Sequence, residues 1–388
     1  MKKTIIVIIS LFTVLHLQAQ KAETNNIVGT NHFIDSEILE ETKQIQVYLP
    51  PGYSETDKDY PVLYLLDGQQ LFTYAVSLSN TFKQFDLTPD FIIVGINIPY
   101  RQRYANYING TDNFIGFMGK ELIPYVEKSF RVNDEKLLFG WQYAGSLGFD
   151  IMLNKAIPFD AYFIASPFPI KDKVAALDSI SITNKALYFA VSPNEYEVNH
   201  GTNKLDSLLS SKKISGLDWS YFELVNEEHQ STAYPTLYHS LRTYFKYYPE
   251  FQVNNLQTFI DNGGLEYAYA HTKQRALIYG TPPELPTWSK YTIIRSAIRA
   301  EDYPYFESFA NTFVSDEFIR DLGNRALDIV NYYEAHAAYN KAIEIYKSLL
   351  IDSPDSESLL TRTGNAYLAL GNKVEADKYF KRAKEVTK

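Results

Sequence analysis

The stretch Lys136-Leu-Leu-Phe-Gly-Trp-Gln-Tyr-Ala-Gly145 decides how the chain is read. Leu137 to Phe139 is a short apolar run leading straight into Gly140, and Ala144 to Leu153 reads as helix. A strand that ends in Gly-x-Ser-x-Gly and turns sharply into a helix is a nucleophile elbow. Its glycines permit a tight turn that leaves the central residue strained, with its side chain exposed. Gly140 keeps its place here, Gln142 stands at the centre, and Ala144 followed by Gly145 stands at the second glycine. Acyl transfer at such a turn needs an atom that a neighbouring base can deprotonate. Gln offers a neutral amide, an acceptor oxygen and two donor hydrogens, and no useful nucleophile.

On both sides of this stretch strand and helix signals alternate. Gln44 to Leu49 alternates polar and apolar residues until Pro50-Pro51-Gly52 breaks the pattern. Tyr60 to Leu66 and Phe91 to Ile96 are nearly continuous apolar runs, as in strands buried on both faces. Phe114, Phe117, Met118, Leu122 and Val126 share one face of a helix predicted over 113–128. Ala161 to Ala165, Ala186 to Val191 and Asp218 to Leu224 are further predicted strands, with helices at Leu205 to Leu209 and Tyr234 to Tyr244. This alternation predicts an α/β fold: a mostly parallel sheet with helices on both faces and an early antiparallel pair at one edge.

From about Pro249 the strand signals stop and the chain reads as helices. Gly364, Tyr367, Gly371, Ala376, Phe380 and Ala383 have tetratricopeptide spacing, and Tyr333, Ala337, Ala342, Tyr346 and Leu349 repeat it about 34 residues earlier. Small residues fit where helices cross closely, and aromatics fill the gaps beside them. About three such units are needed for stability, so helices near 290–322 are expected to pack on them as a degenerate first unit. The expected division is a leader over 1–19, an α/β unit over 28–248, a helical connector over 249–322 and two tetratricopeptide-like repeats over 323–388.

The α/β unit resembles the putative-esterase family of α/β-hydrolases, which includes siderophore (enterochelin-type) esterases and is similar to feruloyl and acetyl-xylan esterases. The motifs that carry the resemblance run in order. They are Val47-Tyr-Leu-Pro-Pro-Gly-Tyr53, Tyr60-Pro-Val-Leu-Tyr-Leu-Leu-Asp-Gly68, Ile93-Val-Gly-Ile-Asn97, the helix from Phe114 through Glu121-Leu-Ile-Pro-Tyr-Val-Glu127, the elbow, Phe159-Asp-Ala-Tyr162 to Ser166-Pro167, and Glu228-His229 with Leu237 to Arg242. The resemblance implies the α/β-hydrolase fold and carboxylic-ester hydrolysis. It places His229 as the catalytic His and Glu195 as the triad acid, with Glu197 second, in the hydrolase order of elbow, acid, His. It implies that the Tyr143 N–H is one oxyanion donor and that Gly68 or Gln69, in the loop after Leu66, supplies the other. Trp141 replaces a His often found beside the nucleophile. It either walls the pocket or fills the core.

The departure at Gln142 falls on the residue this chemistry cannot lose. A triad lacking one member keeps only about 10³–10⁴-fold catalysis over water. Ser146 is a poor substitute, one helical turn on and pointing away from the pocket mouth. Ser166, before Pro167, is read as a structural feature. The expectation is a hydrolase frame that is inactive or weak and binds a small ester or acid, or a protein. The alternative is an active esterase that uses an altered nucleophile or a water activated by His229.

Composition limits the partners. Of 388 residues, 45% are hydrophobic and 21% charged, a globular balance, and the net charge of −9 argues against a basic nucleic-acid surface. The 31 Tyr suit core edges, or surfaces that bind carbohydrate, peptide or protein. Lys2 and Lys3, an apolar run from Ile5 to Leu15, and Ala19 read as a cleavable export signal, so a periplasmic or secreted location is expected. That run falls short of the about 20 residues that span a bilayer, and no membrane span is expected. The chain has no Cys, and its seven His show no metal-ligand spacing. No metal or cofactor is expected.

Overall fold

A computed structural model describes residues 27–155 and 157–386. The leader lies outside the described residues. Eight strands form one sheet: β1 (Thr30–Ser36), β2 (Glu41–Tyr48), β3 (Tyr60–Leu66), β4 (Ile92–Ile96), β5 (Val132–Trp141), β6 (Ala161–Ala165), β7 (Lys185–Val191) and β8 (Leu217–Glu223), in the spatial order β1-β2-β4-β3-β5-β6-β7-β8. β1 with β2, and β2 with β4, pair antiparallel, and the remaining pairs are parallel. The predicted edge hairpin and parallel sheet are both present.

Every residue of β3 is buried, and its period of two sorts them between faces. Tyr60, Val62, Tyr64 and Leu66 join one core cluster, and Leu63 and Leu65 join another. Helices α1 (Gly68–Gln84), α2 (Thr111–Phe117), α3 (Ile123–Ser129), α4 (Tyr143–Asn154), α5 (Tyr196–Ser211) and α6 (Ala233–Tyr244) cover the two faces. α1 and α6 contribute Leu71, Phe72, Phe82, Leu237 and Leu241 to one cluster. α2 to α5 contribute Phe114, Val126, Leu147 and Leu205 to the other. The helix predicted over 113–128 is built as α2 and α3 joined by a π turn at Met118–Leu122.

One sequence expectation needs correction. The segment after Leu66 is not a loop, because α1 begins at Gly68 with Asp67 as its only link to β3. The helix starts this close to the sheet because Gly68 has no side chain: a Cβ there would lie 2.6 Å from the Gly95 carbonyl carbon.

Beyond the sheet the described chain is all helical: α7 (Leu256–Asp261), α8 (Leu265–Tyr279), α9 (Thr287–Arg299), α10 (Tyr303–Phe313), α11 (Asp316–Leu322), α12 (Ala326–Ala335), α13 (Tyr339–Asp352), α14 (Glu357–Ala369) and α15 (Lys373–Val386). They share a core of their own running from Phe251 to Ala383. α9 packs on α12, and α11 packs on α13. Between α14 and α15 a Cβ on Gly364 would meet the Phe380 ring at 2.5 Å, so the small residue admits the aromatic one. No helix among the described residues is long and apolar enough to cross a membrane.

Candidate functional site at the β5–α4 elbow

Gln142 sits between β5 and α4 with φ 57° and ψ −115°. This sparsely populated conformation costs a non-glycine residue on the order of 1–3 kcal/mol and persists where the surroundings over-determine it. They do so here. The Gln142 N–H donates to the Ala165 carbonyl at 3.0 Å, and its own carbonyl accepts from the N–H groups of Ser146 at 3.0 Å and Phe168 at 3.2 Å. Gly140 permits the turn, since a Cβ there would meet the Ala144 carbonyl oxygen at 2.5 Å. Gly145 lets α4 approach β6, because its Cβ would lie 2.9 Å from Ile164. Ala144 is fully buried in this arrangement. The close approach expected of a second elbow glycine is thus made one residue later.

The Gln142 side chain has a partner the sequence did not reveal. Its Oε1 accepts from Arg103 Nη1 at 2.8 Å. Arg103 is buried, with 1% of its side chain exposed against 0% for Asp67. Its Nε donates to both Asp67 oxygens, at 3.0 and 3.1 Å, and its Nη2 donates to the Trp141 carbonyl at 3.0 Å. Its guanidinium carbon lies 4.9 Å from the Trp141 ring and 5.7 Å from the Tyr143 ring. Tyr107 donates its hydroxyl to Asp67 at 3.1 Å, and burial holds that phenol far above its ordinary range. Burial also pushes the Asp67 carboxyl up, while Arg103, Tyr107 and Gln69 pull it back down. A buried ion pair tolerates its desolvation only when geometry and extra hydrogen bonds are good, and this one is fully bonded.

The second group is Glu195 with His229. His229 Nδ1 is paired closely with Glu195 Oε1. The other carboxylate oxygen accepts from the Ser166 hydroxyl and from the Ser192 N–H, each at 2.8 Å. Thr232 is hydrogen-bonded to Ser166 at 2.7 Å and donates to the His229 carbonyl at 3.0 Å. Trp141 Nε1 donates to that same carbonyl at 3.1 Å, and its ring centroid lies 4.9 Å from that of His229. Trp141 therefore joins both groups, packing on Arg103 and on His229.

The sequence-nominated residues are therefore mostly brought together. Glu195 rather than Glu197 meets His229, and Glu197 is exposed in the first turn of α5. Gly68, Gln69 and Tyr143 begin α1 and α4, where N–H groups have no acceptor within the helix. The Gln69 side chain accepts from the Ile98 N–H at 3.0 Å. Ser146 is buried, donates to the Pro169 carbonyl at 2.7 Å and accepts from Lys173 at 2.8 Å, so its hydroxyl is committed elsewhere. Ser166 is also buried and committed, to Glu195. Among the described residues no hydrogen bond joins Gln142 to His229; the Gln142 amide oxygen is bonded to Arg103 instead. Among the described residues no three His, Cys, Asp or Glu side chains converge as metal ligands.

Arg103, Asp67 and Tyr107 were missed by the sequence reading. A hint lay in the Asp67-Gly68 pair ending a buried strand, since an acid there requires a partner. The partner itself, 36 residues away, carried no local mark.

Residues 36–170 match the family model described as Putative esterase. In fold the chain is similar to an IroE-like serine hydrolase from Shewanella oneidensis, with TM-score 0.53 and 23% identity over 74% of this chain and 100% of that one. It is also similar to an uncharacterised protein from Capnocytophaga ochracea DSM 7271, with TM-score 0.55 and 18% identity over 82% of this chain and 93% of that one. Among curated proteins it is 23% identical over 134 residues to YbbA of Bacillus subtilis (strain 168). That stretch is 31% of this chain and 53% of the relative, so the match spans about half of YbbA. At these identities the solved structures establish the fold alone. The sheet order and the elbow show an α/β-hydrolase-like fold whose residues 36–170 match the putative-esterase model, followed by an all-helical region.

Proposed function

We propose that residues 28–248 form an exported binding module on an esterase frame that hydrolyses esters weakly or not at all. One observation carries this reading. The residue at the strained elbow position is a Gln, and its amide oxygen is bonded to Arg103. Such a side chain accepts and donates hydrogen bonds but forms no acyl intermediate. Gly68 or Gln69 and Tyr143, at the starts of α1 and α4, would offer N–H groups to a ligand carbonyl or carboxylate oxygen. His229, held by Glu195, would bond a second ligand atom. The bound molecule would be a small ester or acid.

The leader over 1–19 would carry the protein out of the cytoplasm. The connector over 249–322 and the tetratricopeptide-like repeats over 323–388 would present a surface to a protein partner. A pull-down with residues 323–388 deleted would lose that partner.

The deciding experiment compares p-nitrophenyl acetate hydrolysis by wild type, His229→Ala and Gln142→Ser. We expect no turnover above background for wild type and a gain for Gln142→Ser. Wild-type turnover at ordinary esterase rates, abolished by His229→Ala, would sink the proposal. It would favour a second reading, suggested by the retained Glu195–His229 pair: attack by a water that His229 deprotonates and Gln142 positions. Absence of fluorophosphonate labelling in such an active wild type would separate that route from a substitute serine.

A further inference from the structure

Where α6 passes into the helical region, a cavity of about 500 Å³ opens. Its walls come from both regions. Arg242 lies near the C-terminal end of α6 and Lys246 just beyond it, Phe251 is in the connecting segment, and Tyr267 and His271 are on α8. The volume falls in the range of about 300–1,000 Å³ typical of small-molecule sites.

Two atoms of this lining are unusual. Arg242 Nη1 and His271 Nδ1 are both buried with no hydrogen-bond partner. Buried polar groups are ordinarily paired, and an unpaired one costs about 1–3 kcal/mol. The other ring nitrogen of His271, Nε2, donates to the Lys246 carbonyl at 3.3 Å. Arg242, Lys246 and His271 gather basic groups on this lining, against Glu250 as its acidic residue.

Part of the remaining wall is aromatic, beside Leu87, Val253 and the polar side chains of Gln252, Asn254, Asn255 and Asn262. The Phe251 ring lies 5.3 Å from Tyr267, 5.3 Å from His271 and 5.9 Å from Phe259 between centroids. A guanidinium fork matches a planar carboxylate, and the rings suit a flat apolar body beside it. A bare inorganic oxyanion would use the cations and leave the aromatic wall idle.

We infer that this junction cavity binds a small organic carboxylate with an apolar or aromatic body, its carboxylate on Arg242 and its body against Phe251 and Tyr267. The site is separate from the elbow. His229 precedes the N-terminal end of α6 and Arg242 lies near the other end of this 12-residue helix, which is about 18 Å long. Because both regions line the cavity, an occupant would tie the helical region to the sheet.

Calorimetric titration of the full chain with benzoate tests the assignment. A saturable site is expected whose affinity falls at least tenfold in Arg242→Gln; benzoate held at the elbow would appear as a second site that Arg242→Gln leaves in place. Arg242→Lys, which keeps the charge and the alkyl stem, guards against a misfolded Gln variant and is expected to weaken binding by less. Benzamide, the neutral counterpart, should bind at least tenfold more weakly than benzoate, and inorganic phosphate likewise. The inference is overturned by absence of saturable benzoate binding at millimolar concentrations. Loss in His229→Ala with retention in Arg242→Gln would place the carboxylate at the elbow and overturn it equally. Benzamide binding as tightly as benzoate would remove the charge argument, and phosphate binding as tightly would remove the aromatic one.

Discussion

Arg103 packs on aromatic rings at the ends of the central strands β3 and β5, Arg242 lines a cavity at the junction with the helical region, and the fold treats them in opposite ways. Arg103 has an acid on one side, a backbone carbonyl and the Gln142 amide on the other, and the ring of Trp141 against its guanidinium. Arg242 lines a cavity with its Nη1 buried and unpaired. A charge whose partners are all supplied by the chain holds a structure in place. A charge left one partner short is set for a molecule that brings it. On this reading the elbow owes its shape to Arg103, and the junction owes its ligand to Arg242.

The sharpest way to probe the elbow is to restore what it lacks. Gln142→Ser should raise p-nitrophenyl acetate hydrolysis by roughly 10²–10⁴-fold, the range general-base assistance supplies, and His229→Ala in that background should abolish the gain. If the double variant kept the activity, the Glu195–His229 pair would not be the base. Stability separates the two arginines next. Arg103→Met strands Asp67 as a buried, uncompensated acid and should cost about 3–5 kcal/mol in urea unfolding. Arg242→Met removes a buried nitrogen that has no bond to lose and should leave stability unchanged or raise it, by up to the about 1–3 kcal/mol that an unpaired buried group costs. Equal losses in the two variants would break the contrast between them.

A smaller effect is expected within the elbow turn. Gly140→Ala places a Cβ against the Ala144 carbonyl oxygen; overpacking of this kind costs typically about 1–3 kcal/mol, and thermal unfolding would register it. The smallest effect is at the junction, in pH dependence. Burial holds the His271 pKa below its ordinary 6.5, and the nearby charge of Arg275 adds to this, while the bond to the Lys246 carbonyl opposes it. The unfolded chain therefore takes up a proton at His271 before the folded one does. Its contribution to stability is present above pH 6.5 and is lost as pH falls through and below that value. His271→Asn should flatten this part of the stability profile. An unchanged slope would remove His271 as its source.

Much of the sheet could be read from local pattern. Tyr60 to Leu66 reads as a strand with the ends it has, because a nearly continuous apolar run of seven residues is too short for a buried helix. α1 was missed although Leu71, Phe72, Ala75, Val76 and Phe82 recur at helical spacing on its buried face. Ser, Thr, Asn and aromatic residues between them are weak helix formers, and packing on the sheet supplies what propensity does not. The Glu195–His229 pairing was legible through the motif order, whereas the support of Glu195 by Ser166 was not. These two residues lie 29 positions apart and meet only because β6 and β7 are neighbours.

The elbow shows the same division at the scale of one residue. The sequence by itself determined that a Gln without a nucleophilic atom stands where a strand turns into a helix, since residue identity and local spacing are properties of adjacent positions. Only the tertiary structure decided what that Gln does. Its partner Arg103 is 39 positions away and is held there by Asp67 and Trp141, which the parallel pairing of β3 with β5 brings side by side. Local sequence sets which conformations a segment favours. Which distant charges come into contact depends on strand order, and that order is settled by burying the two faces of the whole sheet at once.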